Sequence, residues 1–327
     1  MKTTARSRYV TLRGPLYSYL VHKKAVTVTL LLLAVTTVLM IVSTGIGSVY
    51  IAPGEVVRSI FGFGSDSSEM IVRSLRLPRV IMAVLIGAAL AVSGAILQGI
   101  VRNSLASPDT VGTTGGATLG AVLFFFFLSN KLSIHLLPLA AVIGAFAATL
   151  LVYILSWKNG VMPLRLVLVG IGFSAAMSSL SYMLMISGPI VLANQSLTFM
   201  TGSVYGVSWE KSVLPLLPWM IVLLPLIFLC ARHLNIQGLG EDIAKGVAFG
   251  GAINFIGLLA PHIGRKLVGP SFGALLPVSA LCGAIILLLA DLAGRTLLPP
   301  HDIPAGVFTA AIGAPFFIYL LYRSRHR

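Results

Sequence analysis

Eight runs of about twenty apolar residues dominate this chain and leave little choice of fold. They fall at Ala25–Gly47, 79–101, 112–129, 134–156, 164–186, 212–231, 274–294 and 304–322, with a shorter run at 249–260. Lipid cannot satisfy an exposed backbone N–H or C=O, so such runs cross a membrane as helices. The alternation of a membrane β-barrel is not seen. The first run is too long and too internal for a cleaved signal peptide, and no small-residue cleavage site follows it. Composition agrees, because only 10% of the 327 residues are charged, against about 25% in a soluble domain. The expectation is an all-α polytopic transmembrane bundle with about nine visible spans. It divides into an N-terminal segment over 1–24, a transmembrane domain over 25–322 and a basic tail over 323–327.

The charge balance, 23 basic against 9 acidic residues, could suggest nucleic acid, but its distribution points to membrane orientation. With a cytoplasmic N-terminus and alternating spans up to 231, ten basic residues fall inside and six outside. The excess sits at the N-terminus, where it weighs most. The tail carrying Arg323, Arg325 and Arg327 should face the same side.

Several chemistries lack their residues. No GxxxxGK[ST] phosphate loop is present, so the chain does not hydrolyse ATP itself. Neither HExxH nor GxSxG suggests an intramembrane hydrolase. Cys230 and Cys282 both lie in apolar spans, without disulfide or metal-ligand spacing, and read as small buried residues. His262, in Ala260-Pro261-His262-Ile263, has no ligand-type neighbour and reads as packed or interfacial. No cofactor or metal is expected.

Small residues stripe two spans. Gly87, Ala91, Ala95 and Gly99 recur every fourth position and form one smooth face for close helix packing. Gly170, Ser174 and Ser178 repeat the pattern, either as packing or as a lining for a translocation pathway.

Six segments then carry a resemblance. They are Arg76-Leu77-Pro78-Arg79, Arg102-Asn103-Ser104-Leu105-Ala106-Ser107-Pro108, Leu239-Gly240-Glu241, Gly257-Leu258-Leu259-Ala260-Pro261-His262-Ile263, Ala290-Asp291-Leu292-Ala293-Gly294-Arg295 and Ile312-Gly313-Ala314-Pro315-Phe316-Phe317. Each is weak alone. Together, in this order from about residue 50 to the C-terminus, they resemble the FecCD family of permeases, importers of ferric siderophores, haem or cobalamin. The resemblance implies ten spans and a location in the bacterial cytoplasmic membrane, both termini inside. It implies as partners a second permease subunit (the same or a different chain), two cytoplasmic ATPases and an external binding protein. The cargo it points to is a ferric siderophore, moved by alternating access.

Residue by residue, the resemblance makes Arg76, Arg79 and Arg295 the docking arginines for acids of the binding protein, a role that suits a planar guanidinium fork. Leu239, Gly240, Glu241, Asp242, Ala244 and Lys245 match the coupling helix that seats in the ATPase. Acids at its start and a lysine at its end suit the helix dipole. Asn103 and Leu105 match the inner gate, where Ser104 departs from the family's proline. Asp291 reads as a partner for Arg295 one helical turn away.

One departure is large. In the family about twenty further residues form a seventh span after the coupling helix, whereas here Gly246-Val247-Ala248-Phe249-Gly250 joins the flanking motifs directly. Losing one crossing would reverse everything downstream and carry Arg295 to the cytoplasmic face. Either the numbering closes over a missing stretch, with a spatial break near Gly246–Ala248, or the deletion is genuine and 249–260 is re-entrant. The intact flanking motifs favour the first. A helix over 239–246, with Arg295 beside Arg76 and Arg79, is the expectation of intact family geometry. The alternative of another class, a gradient-driven secondary carrier, needs ionisable groups at mid-membrane, and only Asp291 lies well inside a run.

Overall fold

A computed structural model of the chain describes residues 9–14, 17–101, 103, 106–157, 163–234, 253–299 and 301–325. All eight long apolar runs are helical. α1 (Lys23–Gly45) is followed by a short α2 (Pro53–Ile60) with proline in its first turn, where its missing N–H costs nothing. A one-turn helix, α3 (Asp66–Glu69), winds through a π-helical stretch, Met70–Arg76, into α4 (Leu77–Ile100). α5 (Thr113–Leu123) is prolonged by a π-turn over Phe124–Leu128. Then come α6 (Leu137–Ser156), α7 (Pro163–Ser187), α8 (Ile190–Thr201) and α9 (Leu214–Leu234). α10 (Ile256–Val268), α11 (Phe272–Thr296) and α12 (Ala305–Arg325) complete the order. Among the described residues six helical segments are long and apolar enough to span a membrane, and Thr113–Leu128 and Ala305–Leu320 are shorter apolar helices.

The centre of the bundle is α4 against α11. Gly87 faces the backbone of Gly283, and Gly99 faces the Phe272 ring, leaving no room for a Cβ at either position. Ala91 and Ala95 between them are fully buried. The stripe therefore brings backbones together, which in lipid supplies the van der Waals contact that the hydrophobic effect does not. The helix containing α4 is 78% buried over its apolar window, against 11% for α1 and 17% for α9. α4 is thus a core element, while α1 and α9 turn apolar surface outward.

Contacts fix the direction of α1, α4, α9, α10 and α11. The start of α4, the end of α1 and the end of α11 meet at one end of the bundle, through Arg76, Arg79 and Arg295. This is the arginine end. At the other, basic end, Lys23 and Lys24 of α1 lie beside Arg265 and Lys266 of α10. α9 starts near the arginine end, where Trp209 Nε1 donates to Arg73 O at 2.6 Å. Its Leu224 and Ile227 pack with Phe272 and Leu275, towards the basic end.

α10 is a half-span. Its 13 residues give about 20 Å of helix, short of a hydrocarbon core of about 30 Å. It begins inside the bundle, where Gly257 lies against Leu90 and Gly94 of α4, and it ends at the basic end. The chain therefore leaves α9 and leaves α10 at the same end, and α11 then crosses once to the arginine end. Arg295 thus lies at the same end as Arg76 and Arg79, as intact family geometry requires and against the reversal that the loss of a crossing would bring. The described short helix sits at 256–268 rather than over the apolar run 249–260. The coupling segment Leu239, Gly240, Glu241, Asp242, Ala244 and Lys245, the gate residue Leu105 and the anticipated break at Gly246–Ala248 lie outside the described residues.

A short N-terminal hairpin precedes the helical bundle, which keeps the all-α class. β1 (Tyr9–Gly14) pairs antiparallel with β2 (Tyr17–His22), Tyr9 opposite His22 and Gly14 opposite Tyr17. β2 runs directly into α1.

Candidate functional site

The last carbonyls of any helix lack intrahelical partners and carry the negative end of its dipole. α1 ends this way beside two arginines. Arg76 Nη1 donates to Thr44 O and Gly45 O at 3.0 Å each, and its Nη2 donates to Val49 O at 2.6 Å. Arg295 Nη2 donates to Ser43 O at 2.9 Å and Ser43 Oγ at 2.6 Å, and Nη1 to Ile46 O at 3.3 Å. Both guanidiniums thus cap α1. Gly47 lets Arg76 in, because a Cβ there would lie 2.7 Å from Nη2.

Arg79 ties the same end together differently. Its Nε donates to Asp291 Oδ1 at 2.9 Å and its Nη1 to Asp302 Oδ2 at 3.1 Å, with the guanidinium 5.7 Å from the Tyr205 ring centroid. Asp291 is also 3.2 Å from Arg295 Nε, a charge contact without hydrogen-bond alignment. That pairing, one helical turn apart, is the structural role read for Asp291. Three guanidiniums share two carboxylates here, which leaves one net positive charge.

The sequence-predicted docking trio is therefore brought together at one end, but it is largely built in. Arg76 is 8% exposed, and the side chains of Arg79 and Arg295 are 13% and 9% exposed. Asp302, at 28%, is the most accessible member. Sequence reading singled out neither Asp302 nor Ser43, since nothing local marks a partner more than two hundred residues away.

A second constellation lies deeper, and sequence reading passed over it. Asp109, in the loop between α4 and α5, accepts from Thr114 Oγ1 at 2.6 Å and from Phe255 N–H at 3.2 Å. Its backbone carbonyl accepts from Ser174 Oγ at 3.1 Å. Phe255 is the N-cap of α10 and, among the described residues, the one non-glycine with positive φ, at 68°. One carboxylate thus faces the starts of α5 and α10, both positive dipole ends. Burial pushes the Asp109 carboxyl up from its ordinary value, and the bonds from Thr114 and Phe255 pull it back down. The only local signal was a charged residue directly before the Thr-Gly-rich start of a span.

The other predicted residues take plainer places. Asn103 closes α4, its N–H on Gln98 O at 3.2 Å and its carbonyl accepting from Ala106 N–H at 3.1 Å. Gly170 packs on the backbone of Thr110 and Val111. With Ser174 bonded to Asp109, two of the three expected pathway residues serve packing within this chain, and Ser178 is half-buried on the same helix. His262 stacks edge-on against Phe316, ring centroids 5.3 Å apart, and Cys282 is buried. Among the described residues no group of three or more His, Cys, Asp or Glu side chains could hold a metal.

Comparison with known proteins extends this geometry. The family model for the FecCD transport family matches residues 32–247 and again 245–323. A probable siderophore transport system permease of Bacillus subtilis (strain 168) is 47% identical, covering 93% of this chain and 97% of the relative. The achromobactin transport system permease of Dickeya dadantii (strain 3937) is 42% identical, covering 91% and 92%. A solved structure titled as a metal-chelate type ABC transporter in an inward-facing conformation superposes with a TM-score of 0.76 at 28% identity, covering 91% of this chain and 99% of that one.

The first alignment is 333 positions long, yet 93% of 327 residues is about 304, so about 29 positions have no counterpart here. The second, 322 positions against 91% of the chain, falls short by about 24. Either shortfall is enough for a span of about 20 residues, and the family match is interrupted at 245–247. This agrees with the missing seventh span.

Proposed function

The chain belongs to the FecCD transport family, and from that premise we propose that it passes ferric siderophore through the membrane in a binding-protein-dependent, ATP-driven importer. The observation that carries this is a family match on both sides of the interruption at 245–247, with the flanking helices in one bundle. As such a permease it is a multi-pass protein of the inner membrane that moves its cargo without chemistry. A ferric siderophore is the cargo most in keeping with relatives named for siderophore, achromobactin and iron(3+)-hydroxamate transport.

The working unit pairs two permease chains with two cytoplasmic ATPases and an external binding protein. The basic end faces the cytoplasm, in keeping with the positive-inside rule, and the arginine end faces outward. α9 ends at the basic end, on the ATPase side, and the segment 239–246 that follows it in sequence is taken as the coupling element. Alternating access is driven by closure of the ATPases, and Asn103 and Leu105 belong to the inner gate. Binding-protein docking centres on Arg79, whose partner Asp302 is the most exposed acid of the cluster. An incoming carboxylate would exchange with Asp302, while Arg76 and Arg295 hold α1 in place and add positive field.

The test is uptake of iron-55-labelled ferric siderophore into proteoliposomes carrying the permease with its ATPase and binding protein. ATP-dependent uptake, lost in Glu241→Ala/Gly240→Pro while the protein stays inserted, is expected. Uptake without ATP that collapses with a protonophore would establish a secondary carrier instead.

A further inference from the structure

The basic end holds a cavity of about 590 Å³. His22, Lys23 and Lys24 line it from the start of α1, and Arg265 and Lys266 from the last turn of α10; among the described residues that line it there is no carboxylate. Arg265 Nη2, beside this cavity, is buried without a hydrogen-bond partner among the described residues, unlike the terminal nitrogens of Arg76 and Arg295 at the other end. Leaving a buried cation unmatched is costly, and the geometry asks for an anion with several oxygen acceptors.

We propose that this cavity binds the phosphate headgroup of an anionic phospholipid. The apolar surface above it selects a lipid over a free anion. α1 rises directly from Lys23 and Lys24, and Val26, Leu30 and Leu33, spaced along one face, are 43%, 59% and 50% exposed. A headgroup in the cavity would have its acyl chains continue along that face. Basic pockets between membrane helices at the headgroup level recognise lipids in this way.

The full-length protein, in nanodiscs of equal phosphatidylglycerol and phosphatidylcholine, is released into neutral detergent and its retained lipid is read by native mass spectrometry. Wild type should retain phosphatidylglycerol at least about fivefold over phosphatidylcholine. Lys24→Gln should lower that retention about fivefold, and Arg265→Gln/Lys266→Gln about 25-fold, from about one charge interaction per residue removed. Lys131→Gln, which removes the same charge from an exposed loop elsewhere, should change nothing. Should the double variant fail to insert, the Lys24→Gln and Lys131→Gln pair decides. Equal retention of both lipids, or equal effects of Lys24→Gln and Lys131→Gln, would overturn the proposal. Inorganic phosphate that binds the detergent-solubilised protein as tightly as the lipid, and displaces it, would mark a free-anion site and overturn the lipid assignment. Retention unchanged by removing these charges would mean that the lipid is held elsewhere and would overturn the proposal.

Discussion

At the arginine end three guanidiniums divide two carboxylates and five backbone carbonyls among themselves. At the basic end three lysines, an arginine and a histidine line one cavity, with no acid among its described lining residues. The first arrangement is internal and fixes the ends of α1, α4 and α11 relative to one another. The second gathers like charges, which on our proposal are matched by a lipid phosphate rather than by the bundle itself. Cations beside hydrocarbon thus do two different jobs in one chain, and substitutions should separate them.

The largest effect is expected at Asp291. Asp291→Ala strands Arg79 Nε and the flank of Arg295 in a buried site, and breaking a buried pair by removing one partner costs about 3–5 kcal/mol. Thermal unfolding in detergent should show it, alongside Lys266→Ala as the basic-end control, which should differ little from wild type. A loss at Asp291 no larger than the control's would mean that the cluster is not a tie.

Arg76 comes next. Arg76→Gln removes a charged donor from three carbonyls at the end of α1, and hydrogen bonds to charged groups contribute about 1.5–3 kcal/mol. The same variant separates capping from docking. If Arg76 only caps α1, binding-protein affinity measured on the folded fraction stays at wild type, whereas Arg79→Gln weakens it. That weakening should shrink as salt rises, because exposed charge is screened over about 8 Å at physiological ionic strength. Equal affinities for Arg79→Gln and wild type at low salt would remove Arg79 from the docking surface.

How legible all this was follows from the range of the interactions. Each span is a local run of apolar residues, and all eight long runs are helices. The Arg295–Asp291 pairing is also local, one turn of a helix, and it too could be read. Partners of Arg79 lie 212 and 223 residues away, and the donor to Asp109 from Phe255 lies 146 away. No spacing rule reaches that far. The half-span was misplaced because 249–260 is the apolar stretch, whereas the helix start is set by Phe255 in its left-handed conformation and its bond to Asp109. The hairpin before α1 escaped because its strands are only six residues each and lie in a basic stretch that was read for membrane orientation alone.

Asp109 offers a test between the two ends. Asp109→Asn keeps the shape and one acceptor, so either Thr114 or Phe255 N–H loses its bond, at about 1 kcal/mol net. The loss should appear in thermal unfolding, and hydrogen exchange should quicken at the start of α10 ahead of α4. Uniform quickening would show that Asp109 supports the whole bundle rather than the half-span.

The smallest effect has the most informative sign. Arg265→Gln removes a cation that has an unpartnered nitrogen and like-charged neighbours in Lys266, Lys23 and Lys24. In neutral detergent the change should stay within about 0.5 kcal/mol of wild type, and any shift should be stabilising, since repulsion is relieved and nothing is orphaned. In phosphatidylglycerol the sign should reverse, because a ligand that binds only the folded state stabilises it in proportion to its affinity, and the variant forfeits part of that. Arg295→Gln, measured beside it, should destabilise in both environments, because its partners belong to the protein itself. Parallel responses of Arg265 and Arg295 to the change of lipid would erase the distinction between a structural end and a receptive one.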